Sequence, residues 1–233
     1  GWGGMKVYKD KLYFQGYSTT VGYELYAYDG TSISLVKDIN TTPSGKIQGS
    51  INNSNIDINA RAATGETNRP ANDMHRYRSN PRLSNSINTG INSRGRDHGS
   101  NSSSPSGFIV YDDKLFFQAR DTTIGGELFY YDGTNVTGID IYTGSTTSGD
   151  YTYLNESYPN SFTVYKNVLY FGARDATYGG ELWGYDATNG ARLIKDISPG
   201  SYTSGSSTYK NSSYPYNLTV FDNKLYFSAE DGY

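Results

Sequence analysis

Four times along this chain the same hairpin recurs: VYKDKLYF at 7–14, VYDDKLFF at 110–117, VYKNVLYF at 164–171 and VFDNKLYF at 220–227. Each copy is a short apolar run, a two-residue polar turn of the kind that joins antiparallel strands, and a second apolar run. The fullest copy, TVYKNVLYFGARDATYGGELWGYDATNGARLIKDI at 163–197, adds a Gly-rich loop, a third run, a turn and a fourth run. This is the pattern of four short antiparallel strands. The Leu-Tyr-Phe core of the second strand is apolar at every position, whereas a sheet with one wet face alternates apolar and polar. Such a strand is expected to be covered on both sides. A phrase repeated at fixed spacing marks an array of like units. Glu127 to Glu181 is 54 residues, Leu169 to Leu225 is 56, and Glu24 to Glu127 is 103. The last is close to twice the period and predicts one repeat missing or unrecognisable in between.

These features predict an all-β chain, a β-propeller fragment of roughly 54-residue four-stranded antiparallel blades. A β-sandwich and a stack of small sheets are the open alternatives. Leu12, Phe14, Leu115, Phe117, Leu169, Phe171, Leu225 and Phe227 are expected to be buried, since they recur in register on the flanked strand. No window carries a sustained 3.6-residue apolar period. A net charge of −3 spread along the chain gives no basic stripe for nucleic acid, and no apolar run is long enough for membrane insertion. With no Cys there are neither disulfides nor thiolate metal sites.

The repeats divide the chain. Residues 1–45 form repeat unit 1, 108–161 unit 2, 162–217 unit 3, and 218–233 the first hairpin of a truncated further unit. Because the chain stops inside a unit, it reads as a fragment expected to expose an apolar face and to associate. Residues 46–107 break the pattern, holding seven of the ten Arg, both His and one of the 24 Tyr. A degenerate blade, a disordered insertion and a frame-shifted stretch compete there, and poor order is expected of so polar a segment. The linkers after Ile141 and Ile197 are each about twenty residues, Tyr-rich, and end in Ser-Tyr-Pro. Long loops are commonly functional. Their Tyr151, Tyr153, Tyr158, Tyr202, Tyr209, Tyr214 and Tyr216 are the candidate binding residues, with packing against the sheet edge as the plainer role. Tyr142 shares both readings.

The run Glu181-Leu182-Trp183 followed by Asp186 and Thr188, with Leu-Tyr-Phe-x-Ala-Arg-Asp before it and Lys-Asp-Ile-x-Pro-Gly after it, resembles the bacterial ELWxxDGT repeat family. Phe129 and Tyr26 replace the Trp in the other units, and Ala187 replaces the Gly in the fullest copy. The resemblance covers about three quarters of the chain. It implies propeller-type repeats, similar in strand order to kelch repeats, in secreted or cell-surface proteins, and it carries over no catalytic residue.

Chemistry is sparse. The two His lie in the foreign segment, 23 residues apart and without ligand spacing, so hydrolytic triads and most zinc sites lack their parts. Glu24, Glu127 and Glu181, with Asp38, Asp140 and Asp196, could pair for glycosidase work. Catalytic groups are seldom reproduced in every repeat, however, and structural contacts are. Asp29-Gly30, Asp132-Gly133 and Asp186 are turn signals, with calcium the one cofactor their loops could take. Seven N-x-S/T sites, Asn40, Asn52, Asn101, Asn135, Asn155, Asn211 and Asn217, are potential glycosylation positions. The expected function is a non-enzymatic extracellular or cell-surface module for adhesion or for binding protein or glycan, next to further repeats of the same chain. The alternatives are a scaffold in a larger secreted enzyme or a structural repeat of a filament or surface layer.

Overall fold

The computed structural model of the chain describes residues 4–41, 102–148 and 151–232. The described residues form eighteen β-strands and no helix. Sheet I is the meander β1 (Lys6–Tyr8), β2 (Lys11–Ser18), β3 (Gly22–Tyr28) and β4 (Ile33–Lys37). Sheet II is β5 (Ser106–Tyr111), β6 (Lys114–Asp121), β7 (Gly125–Tyr131) and β8 (Val136–Ile139). After the small hairpin β9 (Ser145–Ser148) and β10 (Tyr151–Leu154), sheet III is β11 (Asn160–Tyr165), β12 (Val168–Asp175), β13 (Gly179–Asp186) and β14 (Gly190–Lys195). A second small hairpin, β15 (Ser201–Ser204) and β16 (Ser207–Lys210), precedes the pair β17 (Tyr216–Phe221) and β18 (Lys224–Ser228).

The repeats share one register. Leu12, Leu115 and Leu169 pair with Tyr28, Tyr131 and Tyr185, and Phe14, Phe117 and Phe171 with Tyr26, Phe129 and Trp183. The first turn of every unit has both central residues at positive φ: Lys9-Asp10, Asp112-Asp113, Lys166-Asn167 and Asp222-Asn223. This is the type I′ geometry, whose twist matches that of the flanking strands.

The sheets stack face to face, and strand alternation decides which neighbour each side chain meets. Tyr8, Tyr13, Leu25 and Ala27 of sheet I close against Leu115, Phe117, Ala119 and Phe129 of sheet II. The opposite face of sheet II, with Tyr111, Phe116 and Leu128, closes against Leu169, Phe171, Ala173 and Trp183 of sheet III. First strands lie against one another in succession, β1 on β5, β5 on β11 and β11 on β17. Their last tyrosines tie the stack together. Tyr8 Oη donates to Asp113 O at 2.8 Å, Tyr111 Oη to Asn167 O at 2.9 Å and Tyr165 Oη to Asn223 O at 2.5 Å, each reaching the turn of the next unit.

Three expectations change. Leu115, Phe117, Leu169 and Phe171 are fully buried, but Leu12, Phe14 and Leu225 are only half-buried and Phe227 is 37% exposed. Leu12 and Phe14 lie on the face of sheet I that no sheet covers among the described residues, and Leu225 and Phe227 lie on a strand that has no third strand beside it there. Sheets I and II are direct neighbours with no sheet between them, and residues 42–101, the stretch of chain that links them and carries the doubled spacing, lie outside the described residues. Ile39 and Ser103 close that linker as Ile141 with Ser157 and Ile197 with Ser213 close theirs, across 64 residues in place of 16. Residues 46–101 of the foreign segment lie outside the described residues, while 102–107 belong to the approach to sheet II and to β5. The Tyr-rich linkers, finally, contain strand pairs formed by their alternating Ser/Thr/Tyr pattern.

The stacking sets an expected contrast. Leu169→Ala removes a fully buried side chain and should cost about 2–5 kcal/mol, whereas Leu225→Ala, at a half-covered position, should cost about 1 kcal/mol or less. Denaturant unfolding of the two variants checks this, and equal losses would show that the stacked faces are not what holds the units.

Candidate functional site

The feature common to all three units is a glutamate with no solvent exposure at the start of the third strand. Glu24 Oε2 accepts from Ile39 N at 2.9 Å, and Glu24 Oε1 accepts from Ser103 N at 2.8 Å. Ser103 Oγ donates to Glu24 Oε2 at 2.5 Å. Glu127 is held in the same way by Ile141 N (3.0 Å), Ser157 N (2.8 Å) and the Ser157 hydroxyl. Glu181 is held by Ile197 N (2.8 Å), Ser213 N (3.0 Å) and Ser213 Oγ (2.6 Å). Each carboxylate thus joins the end of its own sheet to the corner from which the next one starts. Such donors are what let a buried carboxylate persist. Burial pushes the carboxyl of Glu24 up, and that of Glu127 up to about 7, against the opposing hydrogen bonds from Ser103 and Ser157. Asp38 and Asp140 add to the rise through their charge and are themselves raised by burial. Among the described residues, Asp38 Oδ1 and Asp196 Oδ1 are buried without a hydrogen-bond partner. The serine-held glutamates are joints between units.

The corners read Ser103-Ser104-Pro105, Ser157-Tyr158-Pro159 and Ser213-Tyr214-Pro215. In each, two successive amides converge on one carbonyl, that of Tyr23, Gly126 or Gly180, at 2.8–3.1 Å. The residue before the proline is left at positive φ, 50° in Ser104, 47° in Tyr158 and 44° in Tyr214. For a bulky side chain this is a rare conformation, and it turns both tyrosines back over the sheet they have just left. A Cβ on Gly126 would lie 3.5 Å from the Tyr158 ring, and one on Gly180 would lie 3.2 Å from the Tyr214 ring. The second glycine of each Gly-Gly-Glu therefore makes room for the corner tyrosine. In unit 1 the exchange is complete: Tyr23 takes the glycine's place and Ser104 the tyrosine's.

A third position governs how far each ring is covered. Arg120, Arg174 and Glu230 are equivalent, their amides donating to Ser103 O, Ser157 O and Ser213 O. The Arg174 guanidinium lies 4.8 Å from the centroid of the Tyr158 ring and donates from Nε to Glu156 O at 2.8 Å. Arg120 pairs with the buried Glu156 carboxylate. Burial and a hydrogen bond to Glu156 push the Tyr158 phenol up. At the third corner Glu230 stands where the arginine would be, and Tyr214 is 64% exposed against 47% for Tyr158.

Between these two corners lies a groove of about 350 Å³, lined by Tyr158, Asn160, Arg174, Tyr214 and Tyr216 over a floor of Gly172, Ala173, Gly180 and Pro215. A smaller one of about 250 Å³ lies beyond, lined by Ser198, Tyr202, Lys210, Asn211, Ser212, Tyr214, Glu230 and Gly232. Tyr214 borders both. Of the tyrosines expected to bind, Tyr158, Tyr214 and Tyr216 meet in the first groove. Tyr202 lies in the second, with its ring stacked on Tyr209 at 5.5 Å. Tyr153 is exposed on β10 away from both, and the side chain of Tyr151 lies outside the described residues.

The remaining candidates fall elsewhere. Asp29, Asp132 and Asp186 each accept two turn amides through Oδ1. The Asn189 side chain and backbone, with Arg192, hold Asp186 down at about 2. Among the described residues no group of three or more His, Cys, Asp or Glu gathers around a point where a metal could sit. Asn155 Nδ2 donates to Thr143 O and Asn211 Nδ2 to Pro199 O, at 2.8 and 2.9 Å, pinning the bases of the small hairpins. The serines that complete those two N-x-S patterns are the glutamate-binding ones, so the patterns have a structural origin. Asn40 is buried, Asn135 and Asn217 are exposed, and Asn52 and Asn101 lie outside the described residues. Compared with protein-family models, characterised proteins and solved structures, the chain matches none.

A raised glutamate gives stability a defined pH dependence. Folded Glu127 holds its proton to about pH 7, and the ordinary value is 4.5. The folded state therefore binds more protons between these values, and its stability falls as pH rises through the window. The difference is on the order of 3 kcal/mol. Urea unfolding of the wild type should give a lower stability at pH 8 than at pH 5, and Glu127→Gln should flatten the slope. A wild type that gains stability across this window would show the carboxylate to be held ionised.

Proposed function

We propose that the chain is a non-enzymatic extracellular or cell-surface module that binds glycan or protein through its Tyr-lined corners. Its units would be blades of a propeller-type array like that implied by the resemblance to ELWxxDGT repeats. The observation that carries the binding reading is the placement of Tyr158, Tyr214 and Tyr216 around one open groove on rigid corners. Exposed aromatic rings held by a fixed backbone give contact area at low entropic cost. The non-enzymatic reading is supported by the use made of Glu24, Glu127 and Glu181, whose oxygens are taken up by backbone and serine donors. The array reading is supported by the succession of first strands and by the shared sheet-to-sheet contact. Further repeats of the same kind fit the outer apolar side chains, Val7 and Ile33 on sheet I and Phe221 and Tyr226 on the last hairpin.

A glycan and matrix-protein array probed with the whole chain should show binding without turnover. Tyr214→Ala should weaken the bound ligand by about tenfold, roughly 1.4 kcal/mol, with an unchanged melting temperature. Release of new sugar ends or peptide fragments, or full binding by Tyr214→Ala, would contradict the reading.

A further inference from the structure

Resting on that reading, we infer that the groove between the second and third corners is a site for an acidic saccharide, with Arg174 taking its carboxylate and Tyr214 and Tyr216 its ring. Arg174 is exposed, yet its position is fixed at two points, by the Nε bond to Glu156 O at 2.8 Å and by the Tyr158 ring beneath it at 4.8 Å. Among the described residues no hydrogen bond engages its two terminal nitrogens. A guanidinium held by Nε and offering both terminal N–H groups has the fork that pairs with a carboxylate through two parallel bonds. The nearby acid does not compete, because the Glu156 carboxylate is buried and paired with Arg120.

The rest of the groove suits a sugar ring. Tyr214 and Tyr216 are 64% and 52% exposed, and the arginine that covers Tyr158 is replaced at Tyr214 by Glu230. The floor is backbone: a Cβ on Gly172 would come within 2.7 Å of Pro215 O, so glycine there lets the Pro215 corner close down on the strand and leaves no side chain in the floor. Asn160 turns its amide nitrogen to Tyr158 O and Gly172 O, at 3.1 and 3.5 Å, and its Oδ1 lies 3.3 Å from that same Cβ position as an acceptor for a hydroxyl. A carboxylate borne on a pyranose lies beside the ring. Stacking on the tyrosines and the ion pair with Arg174 can therefore form together. A groove of about 350 Å³ has the size of a small-ligand pocket rather than the area of a protein–protein interface.

The test is calorimetric titration of the whole chain with an oligogalacturonate, the same oligomer after carboxyl reduction, and a sialylated trisaccharide. The oligogalacturonate or the sialoside should bind at least about tenfold more tightly than the reduced oligomer, and the affinity should fall with salt as expected for an exposed ion pair. The stronger of the two acids identifies the sugar. Arg174→Gln should abolish that preference and Arg174→Lys should keep part of it, with both variants melting like the wild type. Should Arg174→Gln unfold the chain, a reduced but still salt-dependent preference in Arg174→Lys serves instead, and an unchanged preference in that variant would overturn the role of Arg174. Equal binding of acidic and reduced oligomers, still lost in Tyr214→Ala, would overturn the acid site and leave the binding surface standing. No binding of any of the three, with Tyr214→Ala retaining full binding to whatever ligand the array identifies, would overturn both.

Discussion

A carboxyl group without solvent contact is kept only where enough hydrogen-bond partners replace its water, since a buried polar group left unpaired costs a few kcal/mol. Glu24, Glu127 and Glu181 meet that condition with donors from two different places, the end of their own fourth strand and the serine of the next corner. The requirement is reciprocal. A sheet whose glutamate is to stay buried must have the following corner docked on it, so each unit is completed only by the approach to the next. The apolar faces that stack behind this joint are non-directional and would tolerate sliding. The hydrogen-bonded glutamate, with the tyrosine bonds from Tyr8, Tyr111 and Tyr165 at the first strands, fixes the pose in which they meet.

The same joint positions the surface. By drawing the serine amide and hydroxyl inward, it forces the residue before the proline into the left-handed region, and the side chain there turns over the neighbouring sheet. Three small exchanges then tune each corner. A glycine or Tyr23 stands beneath, a serine or tyrosine on the corner, and an arginine or Glu230 on top. The first corner thus has no corner ring, the second has a ring capped by Arg174, and the third has a ring left open. One scaffold yields three different surfaces, and the groove forms where the capped ring faces the open one.

Much of the fold was legible in the sequence because repetition exposes register. The hairpins at 7–14, 110–117, 164–171 and 220–227 all form as expected, and two-sided apolar strands mean stacked sheets. Burial at the ends was not legible, because Leu12 and Phe227 carry the same local pattern as Leu115 and Phe171 and differ only in what lies beside them: Leu12 has no sheet over it, and Phe227 no third strand next to its own, among the described residues. The linkers misled for a different reason. Ser, Thr and Tyr at 145–148 and 151–154 read as loop composition, yet their alternation suits a strand pair. Ser103-Ser104-Pro105 repeats the corner, but its lack of tyrosine makes it blend with the polar composition of the foreign segment before it. Trp183, the residue most prominent in the motif, is a core side chain with its Nε1 unbonded, which is why Phe129 and Tyr26 serve in its place. Two site residues had no functional signal in the sequence: Arg174 stands within the Leu-Tyr-Phe-x-Ala-Arg-Asp run, where nothing sets it apart, and Glu156 belongs to no motif. Their meaning comes from facing Tyr158 across a corner.

The central claim is that the buried glutamate and the corner serine form one coupled joint between successive units. A double-mutant cycle on Glu181→Gln and Ser213→Ala, followed by denaturant unfolding, measures it directly. The account predicts strongly non-additive losses, with a coupling of about 1–3 kcal/mol. Additive losses within about 0.5 kcal/mol would contradict it and leave the stacked apolar faces as the sole link between the sheets.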